Sequence, residues 1–247
     1  MSFMKAKWIK VLMVLLVVFA QTSLSVARAS DAVAVGTAMG QSRFVRGPAD
    51  TVIDMSPCRF SLSLLKDQFL QFNAPDLVFM ASKETPKDST APYLWQAQLS
   101  SGYEWHFEKP GDLSEVWFGG MCENTANFSG LTPEVPMSIE TSPELQLIRE
   151  NNDLKCPATL IDRGWVPTHL AGRPETYVFE SLSGPKSTGF IIGYHEKTRK
   201  LFTRIRFCLV HGDQVLVGST ENGSTPLTLS AEAFEGIKAV IRTIGFE

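Results

Sequence analysis

The chain has 247 residues, 44% of them apolar and 20% charged, which is enough apolar material to bury a sizeable core and too much for a disordered chain. Its 23 basic side chains are outnumbered by 26 acidic ones, for a formal charge of −3. That balance argues against nucleic acid or anionic lipid as the main partner, since both favour basic surfaces.

The N-terminus reads as an address label. Lys5, Lys7 and Lys10 precede the apolar run at 11–20, and Ala27 and Ala29 stand at the two positions a signal peptidase inspects. A membrane span needs about 20 apolar residues, and this run ends at Gln21-Thr22-Ser23. The expectation is a cleaved signal peptide over 1–29, no transmembrane anchor in the mature chain, and a periplasmic or secreted destination. Loss of Lys5, Lys7, Lys10 and Arg28 would leave 19 bases against 26 acids, a formal charge of −7. The four cysteines, Cys58, Cys122, Cys156 and Cys208, then suit two disulfides. Three pairings are open; Cys58 with Cys122 and Cys156 with Cys208 is preferred, one bridge within each half. The absence of a C-x-x-C pair argues against a thioredoxin-like redox site or a zinc knuckle.

In chain order, residues 30–50 carry no sustained period and read as a loose N-terminal arm. An α+β half is expected over 51–125. Phe60, Leu64, Leu65, Phe69 and Phe72 fit a short helix within 58–72, although Phe60, Leu62 and Leu64 also alternate. Alternation is plain at Tyr93, Trp95, Ala97 and Leu99 and again at Tyr103, Trp105 and Phe107, which predicts an antiparallel meander turning at 100–102 and at Pro110-Gly111 onto 113–118. The proline-bearing segment 123–141 is the expected linker.

A second α+β half is expected over 142–247. Ser142-Pro143-Glu144 opens a helix to about Asn151. Strands follow at 176–182, 190–194, 201–209 and 214–219, with His211-Gly212-Asp213 turning the last two. Leu201, Ile205, Phe207 and Leu209 should face one side of their strand, and Arg204, Arg206 and Cys208 the other. Ser230 caps a final helix whose stripe of Phe234, Ile237, Ile241 and Ile244 should lie across the sheet, with Leu229 stapled to Phe234 and Gly245 as the stop. The fold class is α+β, mainly antiparallel, with segregated helices.

No strong catalytic or cofactor motif is present. Ser63-Leu64-Leu65-Lys66 has S-x-x-K spacing without an S-D-N element; His195 and Lys197 have H-x-K spacing, but Phe202 stands where that pattern needs aspartate. Neither a phosphate-binding glycine loop nor a His-Glu-x-x-His pair occurs, so no cofactor and no metal are expected. Two surfaces stand out. With a hairpin at Pro110-Gly111, His106 pairs with Glu115, Glu108 with Leu113, and Gln96 flanks His106 on the first hairpin. Glu104, His106, Glu108 and Glu115 then share a face able to tune an imidazole or bind a cation; the plain alternative is the wet side of an antiparallel sheet. The second surface is basic: Lys197, Arg199, Lys200, Arg204 and Arg206 fall within ten residues, either a partner clamp or a solvated hairpin.

Export, disulfides and the lack of a catalytic set lead to the expectation of a non-enzymatic binding protein that contacts another protein of the cell envelope through the basic patch, as an inhibitor or an immunity protein against an envelope-acting toxin. The alternatives are an envelope hydrolase using His106, Glu104 and Glu115, and an envelope assembly or structural factor.

Overall fold

The computed structural model describes residues 32–36, 43–87, 89–99, 102–131, 142–184, 186–196, 201–223 and 225–247. The expected signal peptide, its cleavage point and the bases Lys197, Arg199 and Lys200 lie outside the described residues. In chain order the elements are β1 (Val33–Val35), β2 (Arg43–Arg46), β3 (Ala49–Asp54), β4 (Arg59–Leu64), β5 (Gln68–Phe72), β6 (Asp76–Ala81), β7 (Tyr93–Leu99), β8 (Gly102–Glu108), β9 (Val116–Asn124), α1 (Pro143–Lys155), β10 (Ala158–Ile161), β11 (Gly164–Pro167), β12 (Tyr177–Ser183), β13 (Thr188–His195), β14 (Phe202–His211), β15 (Gln214–Thr220), α2 (Ala231–Ile241) and β16 (Gly245–Phe246). The architecture is α+β in the broad sense and dominated by antiparallel sheet.

An eight-stranded sheet in the order β12-β13-β14-β15-β9-β6-β5-β2 forms the centre. Its junction is β9 against β15, from Asn124 opposite Gln214 to Gly119 opposite Ser219. The segments expected as two halves therefore share one sheet. A four-stranded sheet, β1-β3-β4-β16, closes with the C-terminus, where Gly245 and Phe246 pair with Ser61 and Phe60 of β4. Alternation decides which residues turn inward. On β14, Ile205, Phe207 and Leu209 alternate with Arg204, Arg206 and Cys208, as the pattern implies, but both sets are buried apart from the half-buried Arg204. The first set faces α2, whose Phe234 stacks on Phe202 with centroids 4.6 Å apart. The second lies beneath α1 and the β7–β8 hairpin.

Several expectations are corrected. Residues 58–72 form two strands instead of a helix, β4 in the four-stranded sheet and β5 in the eight-stranded one: Phe60, Leu62 and Leu64 are buried while Arg59, Ser61 and Ser63 are exposed. The turn sets Asp67 at φ 64°, a conformation that aspartate tolerates and that ends any helix. The segment read as a loose arm supplies β1, β2 and the start of β3; β1 escapes notice because its partner, β3, runs parallel to so short a stretch. Gly245 is the first residue of β16 and does not stop the helix, which ends at Ile241.

The largest correction concerns β8. It pairs with β7 alone, and β9 has both edges occupied, by β6 and by β15. Phe107 explains the arrangement: a Cβ on Gly119 of β9 would come within 2.2 Å of its ring. The bare glycine lets the hairpin lie flat across the sheet instead of joining its edge. Pro110-Gly111 consequently opens a connection between layers and closes no hairpin.

Both preferred disulfides are present, with Cα atoms 5.8 Å apart for Cys58–Cys122 and 6.0 Å for Cys156–Cys208. They fit a protein that matures in an oxidising compartment. Among the described residues, no helix is long and apolar enough to cross a membrane. Cys156–Cys208 fastens the end of α1 to β14 and closes a loop with a sequence separation of 52. Replacing both of these cysteines by alanine should lower the free energy of unfolding by about 4 kcal/mol on the chain-entropy model. Urea unfolding without reductant measures this, and an unchanged midpoint would show that the bridge does not restrain the unfolded chain.

Candidate functional site

The layer formed by α1 and the β7–β8 hairpin does not cover the sheet completely. Between them and the segment after β15 lies a cleft of about 690 Å³, within the range of small-ligand sites. Its walls bring together part of each surface singled out in the sequence. Trp95, Glu104, His106 and Glu108 come from the hairpin, Arg204 and Arg206 from β14, Lys155 from the last turn of α1, and Glu221 to Gly223 from the chain leaving β15.

On the hairpin wall, His106 Nε2 lies 3.0 Å from Glu108 Oε1. Tyr93 donates its hydroxyl to Glu108 Oε2 at 2.6 Å. Tyr93's hydrogen bond, and then His106, hold the Glu108 carboxyl below its ordinary range, so it is an acceptor at neutral pH. The indole of Trp95, directly opposite in the ladder, stacks on the imidazole with centroids 4.6 Å apart. Trp95 thus occupies the place expected for Gln96, which pairs with Trp105 instead. From the other side Gly223 presses on the same pair; a Cβ there would lie 2.5 Å from His106 Nε2 and 3.2 Å from Glu108 Oε1.

Glu104 joins this wall, but Glu115 does not. With no β8–β9 pairing, Glu115 turns to a smaller pocket, where its carboxylate meets the buried Lys109 Nζ at 2.7 Å. Among the described residues, no three histidine, cysteine, aspartate or glutamate side chains are arranged to hold a metal ion.

The floor is built from charges that the central strand alternation turns under α1. Glu221 Oε1 accepts from Lys155 Nζ at 2.7 Å, and Glu221 Oε2 accepts from Arg206 Nε at 3.1 Å and from its terminal nitrogen at 2.7 Å. Arg206 also donates to the Leu154 carbonyl, an otherwise unsatisfied group at the end of α1. All three residues are buried. Arg206 is therefore an internal structural cation and no part of an exposed clamp. Arg204 remains at the cleft, its guanidinium 4.1 Å over the Tyr194 ring.

Burial alone would raise the Glu221 pKa, but Arg206 and Lys155 outweigh it and hold the carboxyl down at about 2. Lys155 is displaced downward, first by burial and then, against the pull of Glu221, by Arg206. Lys155, Glu221, Trp95 and Gly223 are not among the site residues expected from the sequence. Two had a signal: a Cys156–Cys208 bridge puts Lys155 near Arg206, and a turn at Gly212-Asp213 puts Glu221 opposite Arg204.

No known protein family, curated protein or solved structure matches the chain.

Glu221→Gln preserves the shape of the side chain but leaves Lys155 and Arg206 buried without a carboxylate, which should cost about 3–5 kcal/mol of stability. Because the folded state depresses the Glu221 pKa, its stabilisation is complete above the ordinary value of 4.5 and is lost as pH falls toward about 2. Urea unfolding over that range should show this acid decline in the parent protein and a smaller one in Glu221→Gln. Equal declines would show that Glu221 does not carry it.

Proposed function

We propose that the protein is an exported, non-enzymatic binding protein of the cell envelope, released into the periplasm or secreted after cleavage at its leader. It acts by contact with another protein, as an inhibitor or immunity protein directed at an envelope-acting toxin. The cleft is its recognition site. The observation that carries this reading is the meeting of two oppositely charged walls in one concavity, Glu104 and Glu108 facing Arg204. Complementary charge of this kind selects a partner and fixes its register more than it adds raw affinity. The two disulfides support export.

One observation favours a second reading, that of an envelope hydrolase. The His106–Glu108 pair lies on the cleft wall at hydrogen-bond distance, an arrangement that can set an imidazole for proton transfer. Of the carboxylates expected beside His106, Glu104 shares the wall but Glu115 is elsewhere, which leaves the binding reading the stronger.

A photo-crosslinking side chain at Thr225, on the cleft lining, tests the proposal in cells exporting the full chain. The expected result is one discrete adduct with an envelope protein, abolished by Arg204→Glu. Adducts indistinguishable from those of a probe at the exposed Arg163 would overturn it.

A further inference from the structure

We propose that the cleft floor is an oxyanion site, in which Arg204, backed by Arg206 and Lys155, holds a carboxylate or phosphate group of the ligand. This rests on the reading of the cleft as a recognition site and specifies the chemistry it recognises.

Lys155, Arg204 and Arg206 face this floor, and Glu221 is the only carboxylate among the described residues hydrogen-bonded to any of them. Both Glu221 oxygens are already engaged by Lys155 and Arg206. Arg204 is left over. Its Nε is sheltered from solvent and finds no hydrogen-bond acceptor among the described residues. A sheltered donor on a cation is costly to leave unmade. The neighbouring charges make it costlier: Arg204 is pushed below its ordinary pKa by burial and then by Arg206.

The cleft-facing nitrogens of the same guanidinium are the donors that a ligand can reach. The Tyr194 ring covers one face of the guanidinium at 4.1 Å, and this stacking leaves the donor edge as the interacting part. A guanidinium edge matches the paired oxygens of a carboxylate or phosphate and binds them in charge-assisted hydrogen bonds. The opposite wall has the reverse character. Glu104 and the acceptor Glu108 line it, so the body attached to the oxyanion should carry amine or hydroxyl donors. The ligand class is therefore dipolar: an oxyanion at Arg204 and hydrogen-bond donors toward the hairpin. An acidic side chain or chain terminus of a protein partner would satisfy it, and so would a small phosphorylated or amino-acid-like molecule.

Titration of the purified, disulfide-bonded protein tests this without any partner. Inorganic phosphate, free glutamate and a short acidic peptide serve as probes, at constant ionic strength set with chloride so that general screening is removed. At least one should bind saturably and shift the NMR signal of the Arg204 side-chain Nε–H. Arg204→Gln should weaken that binding at least tenfold, Arg204→Lys by less, and Arg163→Gln not at all, with near-ultraviolet circular dichroism unchanged in each. Saturation by phosphate assigns the site to a phosphate-bearing ligand; saturation by glutamate or the peptide alone assigns it to a carboxylate. Absence of saturable binding by all three, or binding that leaves the Arg204 signal in place, would overturn the oxyanion site. Failure of the crosslink with success here would remove the protein partner and keep the site.

Discussion

Glu221 is the constraint around which the candidate site is arranged. A single carboxylate holds two cations from different parts of the chain, Lys155 at the end of α1 and Arg206 in the middle of β14, and all three are buried. Such a cluster is weak evidence for extra stability, because removing three charges from water costs about as much as their attraction returns. What it does supply is position. The last turn of α1 is tied to β14 by a covalent bond, Cys156–Cys208, and two residues away by Arg206, which joins both the Leu154 carbonyl and Glu221. The floor of the cleft is thus fixed by directional contacts at Arg206 and Cys208, next to Arg204, whose own pairing is incomplete.

The helix that closes this floor reverses the usual pattern. Leu147 and Leu154 of α1 are 38% and 48% exposed, whereas Asn152 and Lys155 are buried. Asn152 accepts from the buried Trp105 indole at 3.2 Å, and Lys155 lies 5.1 Å over the same ring. Exposed leucines are ordinary, but buried lysine and asparagine are not, and each must find partners inside. Here those partners are Trp105 of the hairpin, the Asn127 carbonyl and Glu221, just after β15. The β7–β8 layer and α1 consequently interlock through polar contacts, and the cleft opens where that interlocking stops. By contrast α2, on the other face, seats Phe234, Ile237 and Ile241 against the sheet in the conventional manner.

Legibility in the sequence followed how local each determinant was. Strands β12 to β15 and the two helix N-caps depend on alternation and on Ser142 and Ser230, which lie within short windows, whereas the cysteine pairs span 64 and 52 residues and β10 and β11 are not among the expected strands. Ser142 Oγ does accept from Leu145 N, and Ser230 Oγ from Ala233 N. The fate of β8 was not legible, because alternation is identical whether a strand pairs beside another or lies across it. Gly119 decided the matter, and its meaning appears only when Phe107 is seen lying against it. The same difficulty hid the character of β14. Arg204, Arg206 and Cys208 share one face, as expected, yet a face bearing two arginines implies an exposed surface, either a partner clamp or a solvated hairpin, and α1 and the hairpin lie over it.

That misreading bears on the chemistry. On an open hairpin, Arg204 and Arg206 would be equivalent solvated cations, each contributing little to any contact. Under α1 they become different in kind. Arg206 is consumed by Glu221 and the Leu154 carbonyl, and its charge now acts on Arg204 through a medium that screens poorly. Arg204 retains the cleft, a ring beneath it and an unused donor. The selectivity of the floor therefore resides in one guanidinium whose environment is set by its neighbours, while the hairpin, through Glu104, Glu108 and the Trp95–His106 stack, supplies the opposing character. A ligand must satisfy both walls at once, and that double requirement is what a flat basic patch could not impose.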